Sequence, residues 1–138
     1  MDERRSAFLM NDFRCNFITF CGIESVNAEE GRFESTLVVL PEHLQQDGYV
    51  HAGVLATIAD HTAGYAAYTT VEPPHRILTV EFKINYMKPA IGERIVCRAQ
   101  VLNNGKTIKV VESSVYVRSG DHEKLTAKGM FTQIAVER

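Results

Sequence analysis

No run of this sequence approaches the roughly 18 consecutive apolar residues that a membrane-spanning helix requires. The opening segment, Met1-Asp2-Glu3-Arg4-Arg5, carries acids and leads into no uninterrupted apolar stretch, which argues against a secretory leader. Cysteine is scarce: Cys15, Cys21 and Cys97 make an odd count with no CxxC pair, a pattern of reduced thiols in the cytoplasm rather than of a disulfide framework. Net charge is only -2, so no broad basic field invites nucleic acid or an acidic membrane surface. Several chemical motifs are also missing. There is no HExxH and no cysteine cluster, and His51 and His61 would lie about 15 Å apart on a helix, so no zinc site is expected. There is no GxSxG elbow, phosphate loop or dinucleotide fingerprint. No cofactor and no metal are therefore expected.

What remains is an ordinary globular balance, 45% hydrophobic and 23% charged over 138 residues, which fits one domain covering 1–138. Phe8, Leu9, Phe13, Phe17 and Phe20 are spaced for an amphipathic N-terminal helix within 1–20. Strands are expected at 21–27 and 33–40, ended by Pro41. A long helix at about 52–69 stops before Pro73-Pro74. Four further strands are expected near 77–88, 94–102, 107–118 and 124–136, with Asn103-Asn104-Gly105 and Ser119-Gly120-Asp121 as hairpin turns. In the first of these four, Leu78, Val80, Phe82, Ile84 and Tyr86 are expected on one face and Thr79, Glu81, Lys83 and Asn85 on the other. A slip of apolar parity between Val110 and Val115 suggests a bulge near Val111. One long helix with about six antiparallel strands makes an α+β domain with the helix against one sheet face.

The segment Gly48-Tyr49-Val50-His51-Ala52-Gly53 followed by Val54 to Asp60 carries the chemistry. It reads as a tight turn entering an apolar helix with one carboxylate partway along. Unpaired N–H groups and partial positive charge at a helix start suit a developing oxyanion, and a carboxylate suits a base or nucleophile. At 100° per residue, Leu55, Ile58, Ala59, Thr62 and Ala66 form one stripe, and Gly53, Thr57, Asp60 and Gly64 a second, small-residue stripe on the other side. The second stripe suits close approach by a subunit or ligand. Ala52 and Asp60 are eight residues apart, roughly 12 Å along a helix. A single carbonyl group cannot touch both, so the spacing predicts that two copies of the chain, with these helices antiparallel about a two-fold axis, complete each other's sites.

Gly48-x-x-His51-Ala52-Gly53 with Ala59-Asp60, together with Asn85-Tyr86-Met87-Lys88-Pro89-Ala90, resembles hotdog-fold acyl-CoA thioesterases of the PaaI-like, phenylacetate-pathway type. The resemblance covers nearly all of the chain after the N-terminal helix. It implies a hotdog fold, in which a curved antiparallel sheet wraps a long central helix, and a homodimer or tetramer with sites at the subunit interface. It implies hydrolysis of an acyl-CoA thioester to free acid and CoA, CoA being part of the substrate. Asp60 falls on the family's catalytic acid. The amide after His51, that of Ala52 with Gly53 adjacent, falls on the carbonyl-polarising donor, and His51 on a residue supporting the loop. Gln45 falls where the family often has a water-positioning Asn, and Thr79 where some members carry a helper Ser or Thr. The chain departs from the pattern at Ala52, where the family has Gly, and at Gln45, one methylene longer than Asn. Ala suits a first helical turn provided φ is negative.

Two other readings compete. One is a non-catalytic acyl-CoA-binding or sensing protein, although only about 20 residues precede the first strand, too few for a helix-turn-helix domain. The other is a hotdog hydratase, whose sites pair Asp with His. Here His61 directly follows Asp60 and points about 100° away, against a joint role. His43, His61 and His75 read as surface or loop residues.

Overall fold

The computed structural model describes residues 1–138. The chain forms α1 (Glu3–Phe13), α2 (Asn16–Cys21), β1 (Ile23–Glu29), β2 (Arg32–Val38), a 3-10 turn at Pro41–His43, α3 (Ala52–Tyr68), β3 (His75–Tyr86), β4 (Arg94–Asn104), β5 (Ile108–Ser119) and β6 (His122–Glu137). The strands make one antiparallel sheet in the order β1-β2-β4-β5-β6-β3. Helix α3 packs on one face of that sheet, against β2 to β6. This is the α+β, hotdog arrangement that the resemblance implies.

The predicted apolar stripe of α3 is its buried face: Leu55, Ile58, Ala59, Thr62 and Ala66 are all buried, whereas Thr57, Asp60 and Gly64 are only partly covered and Gly53 is exposed. Polar groups inside the contact are paired, as burial requires. Thr62 and Ser35 share a 2.6 Å hydrogen bond, and Ser113 on β5 donates to the Ala59 carbonyl at 2.8 Å. That second bond fixes the helix one residue before Asp60.

The N-terminal helix is two helices. The chain breaks at Arg14–Cys15, and Asn16 sits at φ 26°. Leu9 and Phe13 on α1 are fully buried, and Phe13 stacks on Phe33 at 5.0 Å and meets Tyr65 at 5.2 Å. Burial of each such side chain stabilises by about 1.5–3 kcal/mol. The break turns the remaining aromatics off the core, so Phe17 is 60% and Phe20 87% exposed.

Two parity expectations are corrected. A bulge in β3 between Thr79 and Glu81 adds one residue against β6. Bulges re-aim side chains, and this one puts Thr79, opposite Gln133, on the same face as Phe82, opposite Phe131. Leu78 and Val80 consequently face away from the core, 58% and 57% exposed. Strand β5 keeps regular alternation, with Val111, Ser113, Val115 and Val117 buried. Ser113 occupies the slot that looked like a slip. The irregularities lie instead on the neighbours of β5: on β4 between Val101 and Asn103, opposite Val111 and Val110, and on β6 between Leu125 and Ala127, opposite Tyr116 and Val115.

Candidate active site

The start of α3 is held by the loop before it. Leu44 and Val50 form an isolated bridge, and Gly48 closes the turn at φ +88°, a conformation that favours glycine. Val50 N donates to Ala90 O at 2.9 Å and His51 N to His43 O at 2.8 Å. His51 is the N-cap: its Nδ1 accepts from Gly53 N at 2.8 Å. A Cβ at position 53 would lie 3.0 Å from that same Nδ1, so glycine lets the imidazole close over the helix start.

This division of labour leaves one donor of the pair free. The Gly53 amide is engaged by His51, whereas the Ala52 amide has no acceptor. Ala52 is not among the residues with positive φ, so alanine is accommodated there without strain. The Ala52 carbonyl accepts from the Tyr86 hydroxyl at 3.3 Å, and burial raises the pKa of that phenol. A cleft of about 350 Å³ opens in front, lined by Gln45, Tyr49, Ala52, Leu55, Tyr86 and Lys88 among others. Gln45 accepts at Oε1 from the amides of Asp47 and Tyr49, which ties its side chain to the turn while keeping it at the cleft wall.

Two turns along α3, Asp60 is half-buried and accepts at Oδ1 from the Thr79 hydroxyl at 2.7 Å. Its Oδ2 has no protein partner. Thr79 reaches it because of the β3 bulge. Asp60 separates two clefts. One, of about 440 Å³, is lined by Phe17, Ile18, Ala56, Thr57 and Phe82. The other, of about 270 Å³, is lined by Gly64, Tyr68, Arg76, Thr79 and Gln133. Neither shares a residue with the cleft at Ala52.

His61 turns away from Asp60, as the 100° step predicts, and its Nε2 donates to Phe13 O at 2.9 Å. It is not a surface residue. Burial between α3 and α1 lowers its pKa and holds it neutral. His43 is also buried, accepting from Leu40 N at 2.9 Å and donating to Cys21 O at 2.7 Å. Arg76 pairs with Asp12 at 3.1 Å and donates to Tyr68 Oη at 2.6 Å. Tyr65 donates to the same Asp12 carboxylate, and burial, then that carboxylate, raise its pKa. Cys97 is fully buried, and burial pushes its thiol up to about 12. No group of three or more His, Cys, Asp or Glu side chains is placed to hold a metal ion, and no helix is long and apolar enough to cross a membrane.

Tyr86 entered the sequence argument only as part of the Asn85–Ala90 motif, and the Asp12–Arg76–Tyr68 group and Gln133 were not expected at the site. For Gln133 a signal existed: it occupies the inward parity of β6 with Ala127, Gly129 and Phe131, where an amide is out of place.

Residues 47–124 match the family described as the thioesterase superfamily. Acyl-coenzyme A thioesterase 13 of Homo sapiens is 34% identical over 112 residues, covering 80% of this chain and 78% of that protein. The crystal structure of a thioesterase family protein from Silicibacter pomeroyi superposes with a TM-score of 0.91 at 32% identity, over 96% of this chain and 98% of that one. The PaaI protein of the E. coli phenylacetic acid degradation operon shares the fold, with a TM-score of 0.83 at 19% identity over 96% and 94% of the two chains.

Proposed function

The chain belongs to the thioesterase superfamily and is a thioester hydrolase; we propose that it hydrolyses acyl-CoA thioesters at sites shared between two copies of itself. In this reading the substrate carbonyl oxygen accepts from the Ala52 amide of one protomer. Asp60 of the other protomer acts on the carbonyl carbon, as general base toward water or as nucleophile. The C–S bond breaks, the sulfur leaves as the CoA thiol, and water supplies the second oxygen of the free acid. Gln45 helps position the water, and His51 and Gly53 hold the helix start. No cofactor takes part. Three unpaired cysteines support a cytoplasmic setting.

The observation that carries this reading is the separation of donor and acid. The unpaired Ala52 amide and Asp60 face different clefts of one protomer, and β3 runs past both, contributing Tyr86 to the first and Thr79 and Phe82 to the others. Strand β3 is also a sheet edge of 12 residues with Leu78 and Val80 exposed. A long apolar edge left bare invites pairing with another chain. The opposite edge, β1, has only seven residues, is polar at Glu24, Asn27 and Glu29, and is bulged. Antiparallel pairing of two β3 strands about a centre near Val80 to Phe82 sets Tyr86 of one copy beside the 74–78 segment of the next. The Ala52 cleft of each copy then meets the Asp60 of the other.

A panel of acyl-CoAs read by free-thiol release tests the reaction. Thiol release is expected, binding without release would mean a sensor, and hydration of an enoyl double bond would mean a hydratase. Ala52→Pro tests the donor. Proline is accepted at the first helical position, and His51 at φ -61°, ψ 136° already has the backbone a following proline needs. The substitution therefore removes one N–H and little else. A loss in kcat of about 10²–10³ is expected with the thermal midpoint kept, the range seen on removing one oxyanion donor. Wild-type kcat would exclude the Ala52 amide.

A further inference from the structure

Gln133 is the one polar side chain fully buried under the site with an unmet requirement. It lies on β6 directly opposite Thr79 and beneath Gly64 of α3, where an added Cβ would sit 3.9 Å from its Oε1, an ordinary contact distance. Its Oε1 is 3.0 Å from Thr79 Oγ1, and its Nε2 is buried with no partner. Thr79 has one hydroxyl proton, and in this orientation two acceptors compete for it, Gln133 Oε1 and Asp60 Oδ1. A half-turn of the amide about its terminal bond exchanges Oε1 and Nε2 within the same volume. Both conflicts at Thr79 are then removed: Nε2 donates to a lone pair of Thr79 Oγ1, the hydroxyl proton is committed to Asp60, and Oε1 takes the buried position that Nε2 had held.

We propose that Gln133 is a positioning residue for this reaction, donating from Nε2 to Thr79 so that the Thr79 proton is directed at Asp60 Oδ1. The inference rests on the reading of Asp60 as the acting carboxylate. Its consequence is geometric. With Oδ1 fixed by Thr79, the carboxylate plane is set and Oδ2, which has no protein partner, faces the cleft. Without the amide, Thr79 Oγ1 loses the donor that anchors it on the side away from Asp60, and the hydroxyl and the carboxylate it holds are less firmly oriented. The effect belongs to the chemical step rather than to substrate binding, because Gln133 is wholly covered and touches the reacting atoms only through Thr79 and Asp60.

Gln133→Met keeps the volume and removes the amide. We expect kcat to fall about ten-fold, the scale of misaligning the charge-assisted hydrogen bond from Thr79 to Asp60 that the amide positions, with KM within about two-fold of wild type. The thermal midpoint should change little, since the one neutral hydrogen bond lost to Thr79 is offset by no longer burying the rest of a polar amide. Gln133→Leu, the second variant, should behave alike. Thr79→Val should lose a similar factor, and adding Gln133→Met to it should cost nothing more, because the chain is already cut. Wild-type kcat in Gln133→Met and Gln133→Leu overturns the role, as does a double variant whose losses multiply. So does a drop in kcat accompanied by a raised KM and a lowered thermal midpoint, which would mark a packing residue. A wild-type protein that releases no thiol overturns the proposed reaction itself, and this role with it. Activity in wild type with intact kcat in the Gln133 variants overturns this role alone.

Discussion

Asp60→Asn lowers kcat by about 10²–10⁴ with the protein still folded and its solution mass unchanged, the range that positioned proton transfer contributes. The substitution is nearly isosteric. An asparagine carbonyl oxygen can still accept from the Thr79 hydroxyl that lies 2.7 Å from Oδ1, so the helix and β3 stay in register. What is lost is the ability to take a proton or attack a carbonyl carbon, the two roles proposed for Asp60. Because no substrate contact is removed, KM should change little. Steady-state rates with a thiol readout, together with the thermal midpoint and the solution mass, check all three expectations. Unchanged kcat would exclude Asp60 from the chemistry.

The second large effect comes from the sheet edge. Leu78→Lys combined with Val80→Lys should give a folded monomer whose activity is at least about 10² below wild type, since each site would then keep either its donor or its base. Both side chains point away from the core of the protomer, 58% and 57% exposed, so the lysines cost the isolated subunit little. In the paired edge the four lysines of a dimer lie close to the two-fold axis and repel one another across it. Charged edge residues block strand pairing in this way. Sedimentation gives the mass and circular dichroism the fold. A monomer with full activity would contradict shared sites, and a dimer with full activity would place the interface elsewhere.

Much of this was legible because helix periodicity is rigid. The two stripes of α3, one with Leu55, Ile58 and Ala59 and one with Thr57 and Asp60, follow from 100° per residue and are what the structure buries and leaves open. The capping role of His51 was also within reach, since a helix start needs acceptors. Strand faces were less legible, because a single inserted residue reverses them. The bulge in β3 moved Thr79 from the outer face to the hydroxyl partner of Asp60 and turned Leu78 and Val80 outward. Ser113 broke the apolar pattern of β5 for a local reason, the Ala59 carbonyl, that only the packed helix reveals. Phe17 and Phe20 continued the period of α1 in sequence, but the backbone breaks at Arg14–Cys15 before reaching them.

Mixing two dead subunits tests the shared site most directly. Asp60→Asn retains the Ala52 amide, and Ala52→Pro retains Asp60. Sites completed between protomers give each mixed dimer one intact site, so an equal, randomly assorted mixture should recover about a quarter of the wild-type rate, half of its dimers being mixed and each carrying one of two sites. Native mass spectrometry confirms that mixed dimers have formed. Recovery to that level is the predicted result; mixed dimers no more active than the two parents would contradict it and return both groups to a single chain.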